Sequence, residues 1–72
     1  MDQEHERRGQ RQLLLADQDA AALLGIARTT LLEEWRAGRI MAVRIGRRRL
    51  FHIRDIEAYA DRLREEQARS GR

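Results

Sequence analysis

The stretch AAALLGIARTTLLEEWRAG, Ala20 to Gly38, decides the fold. Ala20, Ala21, Leu23 and Leu24 fit one wide apolar face of a helix, and Gly25 supplies the left-handed residue that commonly closes one. That helix is expected over 17–24, with Asp17 in its first turn placed to accept a bond from a free backbone N–H. Ile26 plugs the core beneath the turn. Arg28-Thr29-Thr30 then start a second helix that carries Leu31, Leu32 and Trp35 until Gly38 stops it. Two short helices joined by a three- to four-residue turn containing Gly form a helix-turn-helix unit.

Outward from this unit the pattern changes on both sides. After Gly38, Ile40, Met41, Val43 and Ile45 with Arg44 between them read as a strand, Gly46-Arg47-Arg48-Arg49 as a reversal, and Leu50 to Ile53 as the strand that pairs back. Three consecutive arginines then stand at or beside the tip of a hairpin, a wing. A last helix is expected from about Asp55, with Ile56, Tyr59, Ala60 and Leu63 at i, i+3, i+4, i+7 and Asp55 at the positive end of its dipole. From Glu65 the apolar period is lost. Upstream, Leu13-Leu14-Leu15 read as a short apolar lead into the first helix, and residues 1–12 are polar and aperiodic. The expected organisation is a flexible arm over 1–12, one domain over 13–66 and a frayed tail over 67–72. Its class is mainly α with a small β-hairpin, three helices plus a two-stranded wing. Trp35, Phe51 and Tyr59 all fall at apolar-period positions and are assigned to the core.

The 72 residues suffice for one small domain. With no Cys there is neither a disulfide framework nor a thiolate zinc site, and stability is left to packing and helix caps. His5 and His52 have no companions at ligand spacing, so no metal is expected. Ser70, the single Ser, has no base near it in sequence, so nucleophilic catalysis lacks parts and the chain is read as a non-enzyme without cofactor or small-molecule ligand. No apolar run approaches the roughly 20 residues needed to span a bilayer, and no secretory signal is read in the charged start, which makes a cytosolic protein the expectation.

The net charge of +3 understates the asymmetry. Between Arg28 and Arg54 stand eight arginines and only two acids, Glu33 and Glu34. All basic residues are Arg, a planar fork suited to phosphate and guanine, although a GC-rich coding sequence produces the same bias. A second helix of this kind fits a major groove. Thr29 and Thr30 then offer hydroxyls and backbone N–H groups to a phosphate, while Arg28, Glu33 and Arg36 reach towards base edges. The bland alternative is that Thr30 only caps the helix and Glu33 only pairs with Arg36. Arginines at a tight reversal repel one another unless an anion compensates them, and a narrowed minor groove is such an anion.

From Leu14 to about Leu63 the sequence resembles the excisionase family, whose winged-helix domains are similar to the DNA-binding head of MerR regulators. The resemblance rests on Ala20-Ala21-Ala22-Leu23-Leu24-Gly25-Ile26, on Arg28-Thr29-Thr30-Leu31, on Gly38 two residues after Arg36, on Ala42-Val43-Arg44-Ile45-Gly46-Arg47-Arg48, and on Arg54-Asp55-Ile56-Glu57-Ala58-Tyr59. It implies a MerR-like winged helix-turn-helix and a recombination directionality factor. Such a factor binds tandem sites on double-stranded DNA beside a phage attachment sequence, bends the DNA and favours excision by an integrase, with copies associating head to tail. By the same resemblance, Arg28, Thr29, Thr30, Glu33 and Arg36 match the recognition helix, and Arg44, Arg47, Arg48 and Arg49 the wing. The implied setting is the bacterial cytoplasm or nucleoid, with a phage or mobile-element origin. Three positions depart from the family pattern. Ala16 stands where Thr or Ser is usual, which moves the first cap to Asp17. Glu33 and Glu34 place a negative pair on the recognition helix, and Arg49 replaces an aromatic after the wing arginines. Two alternatives stay open: a small BldC- or MerR-like transcription regulator, and a protein interaction module acting through the outward residues Glu57, Asp61, Arg62, Arg64, Glu65 and Glu66 of the last helix.

Overall fold

The structure, a computed structural model, describes residues 12–70. The expected arm over 1–12 lies almost wholly outside the described residues. In chain order the elements are β1 (Leu14–Ala16), α1 (Asp17–Leu24), α2 (Arg28–Arg36), β2 (Val43–Ile45), β3 (Arg48–His52) and α3 (Ile53–Arg69). Three helices and a three-stranded antiparallel sheet make a small winged helix-turn-helix, as the apolar periods predict.

The turn between the first two helices forms as its residues dictate. Gly25 takes φ 77, its N–H donates to the Ala22 carbonyl at 3.1 Å, and the Ile26 N–H reaches back to Ala21 at 3.0 Å. This is the left-handed closure that satisfies the last carbonyls of a helix. Leu31 of α2 is fully buried, beside Ala20 and Ala21 of α1, and the same cluster takes in Leu15, Ile40, Phe51, Ile56 and Tyr59. Trp35 packs half-buried on its edge, so all three aromatic residues serve the core. Burying a side chain the size of Phe51 or Leu31 contributes about 1.5–3 kcal/mol each.

Five features differ from the periodic reading. Leu14–Ala16 are a strand, not a lead into the helix: Leu14 pairs with His52, Leu15 with Phe51 and Ala16 with Leu50. Three residues carry too little alternation to show a period, and the partner strand lies more than thirty residues away. The wing strand begins at Val43, leaving Ile40 buried as a plug and Met41 exposed ahead of it. Its reversal is only Gly46-Arg47, with Gly46 at φ 62 in the first central position, the pattern of a type II′ hairpin. Arg48 and Arg49 are therefore strand residues rather than tip residues.

The last helix starts at Ile53, two residues early, because the His52 side chain caps it: its Nδ1 accepts the Arg54 N–H at 3.0 Å. The same helix runs on to Arg69, past the expected domain end at residue 66 and into the expected frayed tail. Among the described residues after Leu63 nothing is buried, but Arg64 to Arg69 holds only Arg, Glu, Gln and Ala, all strong helix formers. Intrinsic propensity carries the helix where packing no longer does. Among the described residues, no helix is long and apolar enough to cross a membrane.

Candidate nucleic-acid interface

The accessible surface of helix α2 has two sides, separated by its own geometry. Thr29, Glu33 and Arg36 stand at i, i+4 and i+7, on one exposed stripe opposite buried Leu31 and half-buried Trp35. Thr30 is exposed beside this stripe. Its hydroxyl does not cap the helix, since Ala27 occupies the cap position without a side-chain bond and no acid stands in the first turn. Nor does Glu33 pair with Arg36: among the described residues neither makes an ion pair. Both groups are therefore free for an outside partner.

Arg28 lies off that stripe, turned towards the wing. There it lines a cleft with Arg44, Arg47, Arg48 and Arg49, and among the described residues the cleft contains a single acid, Asp17 of α1. The wing builds this concentration by register, because Arg44 stands directly across the ladder from Arg49 and Ile45 from Arg48. Like charges opposite one another destabilise a strand pair. Asp17 relieves this one, as its Oδ2 lies 2.8 Å from Arg49 Nη2 and 3.5 Å from Arg28 Nη2, and its Oδ1 accepts from Arg49 Nε at 3.3 Å. The Arg49 hydrogen bond is the main cause that holds the Asp17 carboxyl below its ordinary value, against the opposing effect of burial. The same bond raises Arg49 above the usual guanidinium value.

The expectation that Asp17 caps the first helix is thus corrected. Ala16 stands at the cap with no side-chain bond, and the Asp17 carboxylate is turned to the wing instead. Two guanidiniums are stronger partners for a carboxylate than one backbone N–H. Arg49 has a second neighbour, since its Cζ lies 4.4 Å over the Trp35 ring. Because side chains alternate along a strand, Arg49 shares its face with Phe51, and core packing of Phe51 aims Arg49 at Trp35.

Glu34 does not add to the acidity of the exposed stripe. Its Oε1 accepts from Tyr59 Oη at 2.9 Å and from Arg39 Nε at 2.9 Å, and Arg62 donates to the Arg39 carbonyl, closing a link from α2 to α3. Burial first, and then the Glu34 bond, push the Tyr59 hydroxyl up to about 12. These contacts are hidden from a sequence reading because Glu34 and Arg39 are five residues apart across the Gly38 turn, a spacing no helical pattern flags. Of the two acids on α2, only Glu33 faces out.

A family model described as "Helix-turn-helix domain" matches residues 14–64, from β1 into α3 and through both candidate surfaces. No curated protein and no solved structure matches the chain. With the match spanning both helices, the turn and the wing, the chain belongs to this helix-turn-helix domain family, which is found in excisionase-like DNA-binding proteins.

Proposed function

We propose that the chain is a non-catalytic accessory protein of the excisionase kind, which binds tandem sites on double-stranded DNA, bends it and promotes excision by an integrase. One observation carries this reading: five arginines from α2 and the wing hairpin converge on one cleft beside an exposed helical stripe of Thr29, Glu33 and Arg36. The stripe enters a major groove, where Arg36 donates to guanine and Glu33 accepts from a cytosine amino group. Thr29 and Thr30 contact the flanking phosphate. Arg44, Arg47 and Arg48 of the wing follow the backbone into the adjacent minor groove, whose narrowing strengthens their attraction and favours bent DNA. Arg28 and Arg49 complete the cleft between the two contacts. Copies assemble head to tail along neighbouring sites in the bacterial cytoplasm or nucleoid.

Replacing Arg47 and Arg48 together by Ala tests the interface. Affinity for duplex falls, and the slope of log affinity against log salt becomes shallower by about 1.8, or 0.9 for each phosphate that is no longer neutralised. An unchanged slope removes the wing from the interface. Gel-shift titration on tandem sites tests assembly, with a steep rise expected and independent filling against it. Mobility of circularly permuted fragments reads the bend. A transcription regulator with the same binding chemistry would give the first result without stimulating excision in an integrase assay. The exposed continuation of α3 to Arg69 favours one further element, contact with a protein partner through that helix.

A further inference from the structure

Resting on the DNA-binding reading above, we propose that Asp17 is a positioning residue that sets the selectivity of the interface by withholding Arg28 and Arg49 from indiscriminate phosphate contact. Among the described residues the carboxylate is the single acid in a cleft of five arginines, and it is 15% exposed against 55% for Arg28 and 24% for Arg49. It therefore sits at the floor of the cleft with the guanidiniums reaching over it. One oxygen, Oδ2, serves both Arg28 and Arg49, which come from α2 and β3, while Asp17 itself begins α1. The three elements that must keep a fixed relation for helix and wing to enter neighbouring grooves meet at this carboxylate. Arg49 is additionally fixed on Trp35.

A phosphodiester entering the cleft meets two classes of cation. Arg44, Arg47 and Arg48 make no ion pair among the described residues and are open to it. Arg49 already has a two-point carboxylate partner, through Nε and Nη2, and Arg28 a longer ionic one at 3.5 Å. Attraction that every DNA sequence supplies equally is thereby reduced, while contacts from the outward stripe of α2 are untouched. Removing the charge of Asp17 frees two guanidiniums for phosphate and unties the wing from the helix. General affinity rises and discrimination falls.

The test compares the wild-type chain, Asp17→Asn and Asp17→Glu on a random-sequence duplex and on the best site from a selection, across a salt series. For Asp17→Asn the salt slope on random duplex steepens by about 1.8, as two further phosphates are neutralised, so that the change between 50 and 200 mM salt grows by roughly tenfold. The affinity ratio of best site to random duplex falls, and Asp17→Glu returns both quantities towards wild type. A slope that is unchanged or shallower in folded Asp17→Asn overturns the proposal while leaving DNA binding intact. A wild-type chain that binds no duplex overturns both. Should Asp17→Asn fail to fold, the wild-type chain decides the matter by nuclear magnetic resonance. On saturation with random duplex, the Arg49 Nε–H signal keeps its free-state position and slow exchange if Asp17 retains the guanidinium. A signal displaced to a phosphate-bound position means that Asp17 lets go, which overturns the proposal.

Discussion

Arg49 rests with its Cζ 4.4 Å over the ring of Trp35, joining the wing strand β3 to α2 through a face-on cation–π contact. The pairing places a charge against a residue of the core edge, and the Asp17 carboxylate, bound along the Nε–Nη2 edge of the same guanidinium, balances that charge. A half-exposed contact of this type contributes about 0.5–1 kcal/mol. In a double-mutant cycle of Arg49→Met and Trp35→Leu followed by urea unfolding, the coupling is expected in that range. Zero coupling would show that the two groups are merely adjacent.

Acid should weaken the protein through Asp17 in a definite direction. Because its folded pKa lies below the ordinary 3.8, the contribution is complete above that value and is lost as pH falls through the lowered folded value. Wild type is therefore more stable than Asp17→Asn at neutral pH, by about 1–3 kcal/mol for charge-assisted bonds that are partly buried. The gap closes below pH 3.8. A gap in urea midpoints that persists undiminished at about pH 2.5 would assign the effect to shape rather than charge.

At the alkaline end Tyr59 supplies the corresponding dependence, and it is the single tyrosine, which makes the titration clean. Its folded value of about 12 exceeds the unfolded 10.0, so the neutral hydroxyl stabilises the fold fully below 10 and this is lost as pH rises through about 12. Absorbance at the tyrosinate band should show a midpoint near 12 in the folded chain. In Glu34→Gln it moves down but stays above 10, because burial, the larger cause, remains. A midpoint at 10 in wild type would mean that neither the burial of Tyr59 nor its bond to Glu34 persists in solution.

The cap of α3 shows why some boundaries are illegible in the sequence. Ser, Thr, Asp and Asn signal a helix start, and Asp55 draws the expected start towards itself; His52 does the capping with a ring nitrogen instead. His52→Ala should cost about 0.5–2 kcal/mol, whereas His52→Asn keeps an acceptor at the same place and should cost much less. Thermal midpoints compare the three. Equal losses for both variants would attribute the effect to the strand pairing of His52 with Leu14.

The legible part of the fold is that carried by local period and by glycine. Gly25, Gly38 and Gly46 all take positive φ, and each marks a turn that the sequence pattern proposes. What stays hidden depends on distant partners. β1 exists only because Phe51 is opposite Leu15, and Arg49 is drawn inward only because Asp17 lies 32 residues back in the chain. The arginine triplet Arg47-Arg48-Arg49 looks uniform as a string, yet the hairpin register divides it into a tip, an exposed strand position and a half-buried clasp. Composition locates the charge; register decides which of it is free.

That division sets apart the two kinds of contact, and Glu33 is the residue on which they differ most. It is exposed, lies on the stripe of Thr29 and Arg36, and has no ionic partner among the described residues, whereas Glu34 is held by Tyr59 and Arg39. An acid facing DNA without a partner repels every phosphate, and only a cytosine amino group at one position returns a bond. Glu33→Ala should therefore raise affinity for random duplex while costing about 1–3 kcal/mol of discrimination at a single base position in a selection. Arg47→Ala should do the reverse, lowering affinity by a similar factor on all sequences and reducing the salt slope by about 0.9. If Glu33→Ala selects the same sites with the same stringency as wild type, Glu33 acts as a general repulsive charge, and the reading of bases falls to Arg36 and its neighbours on the stripe.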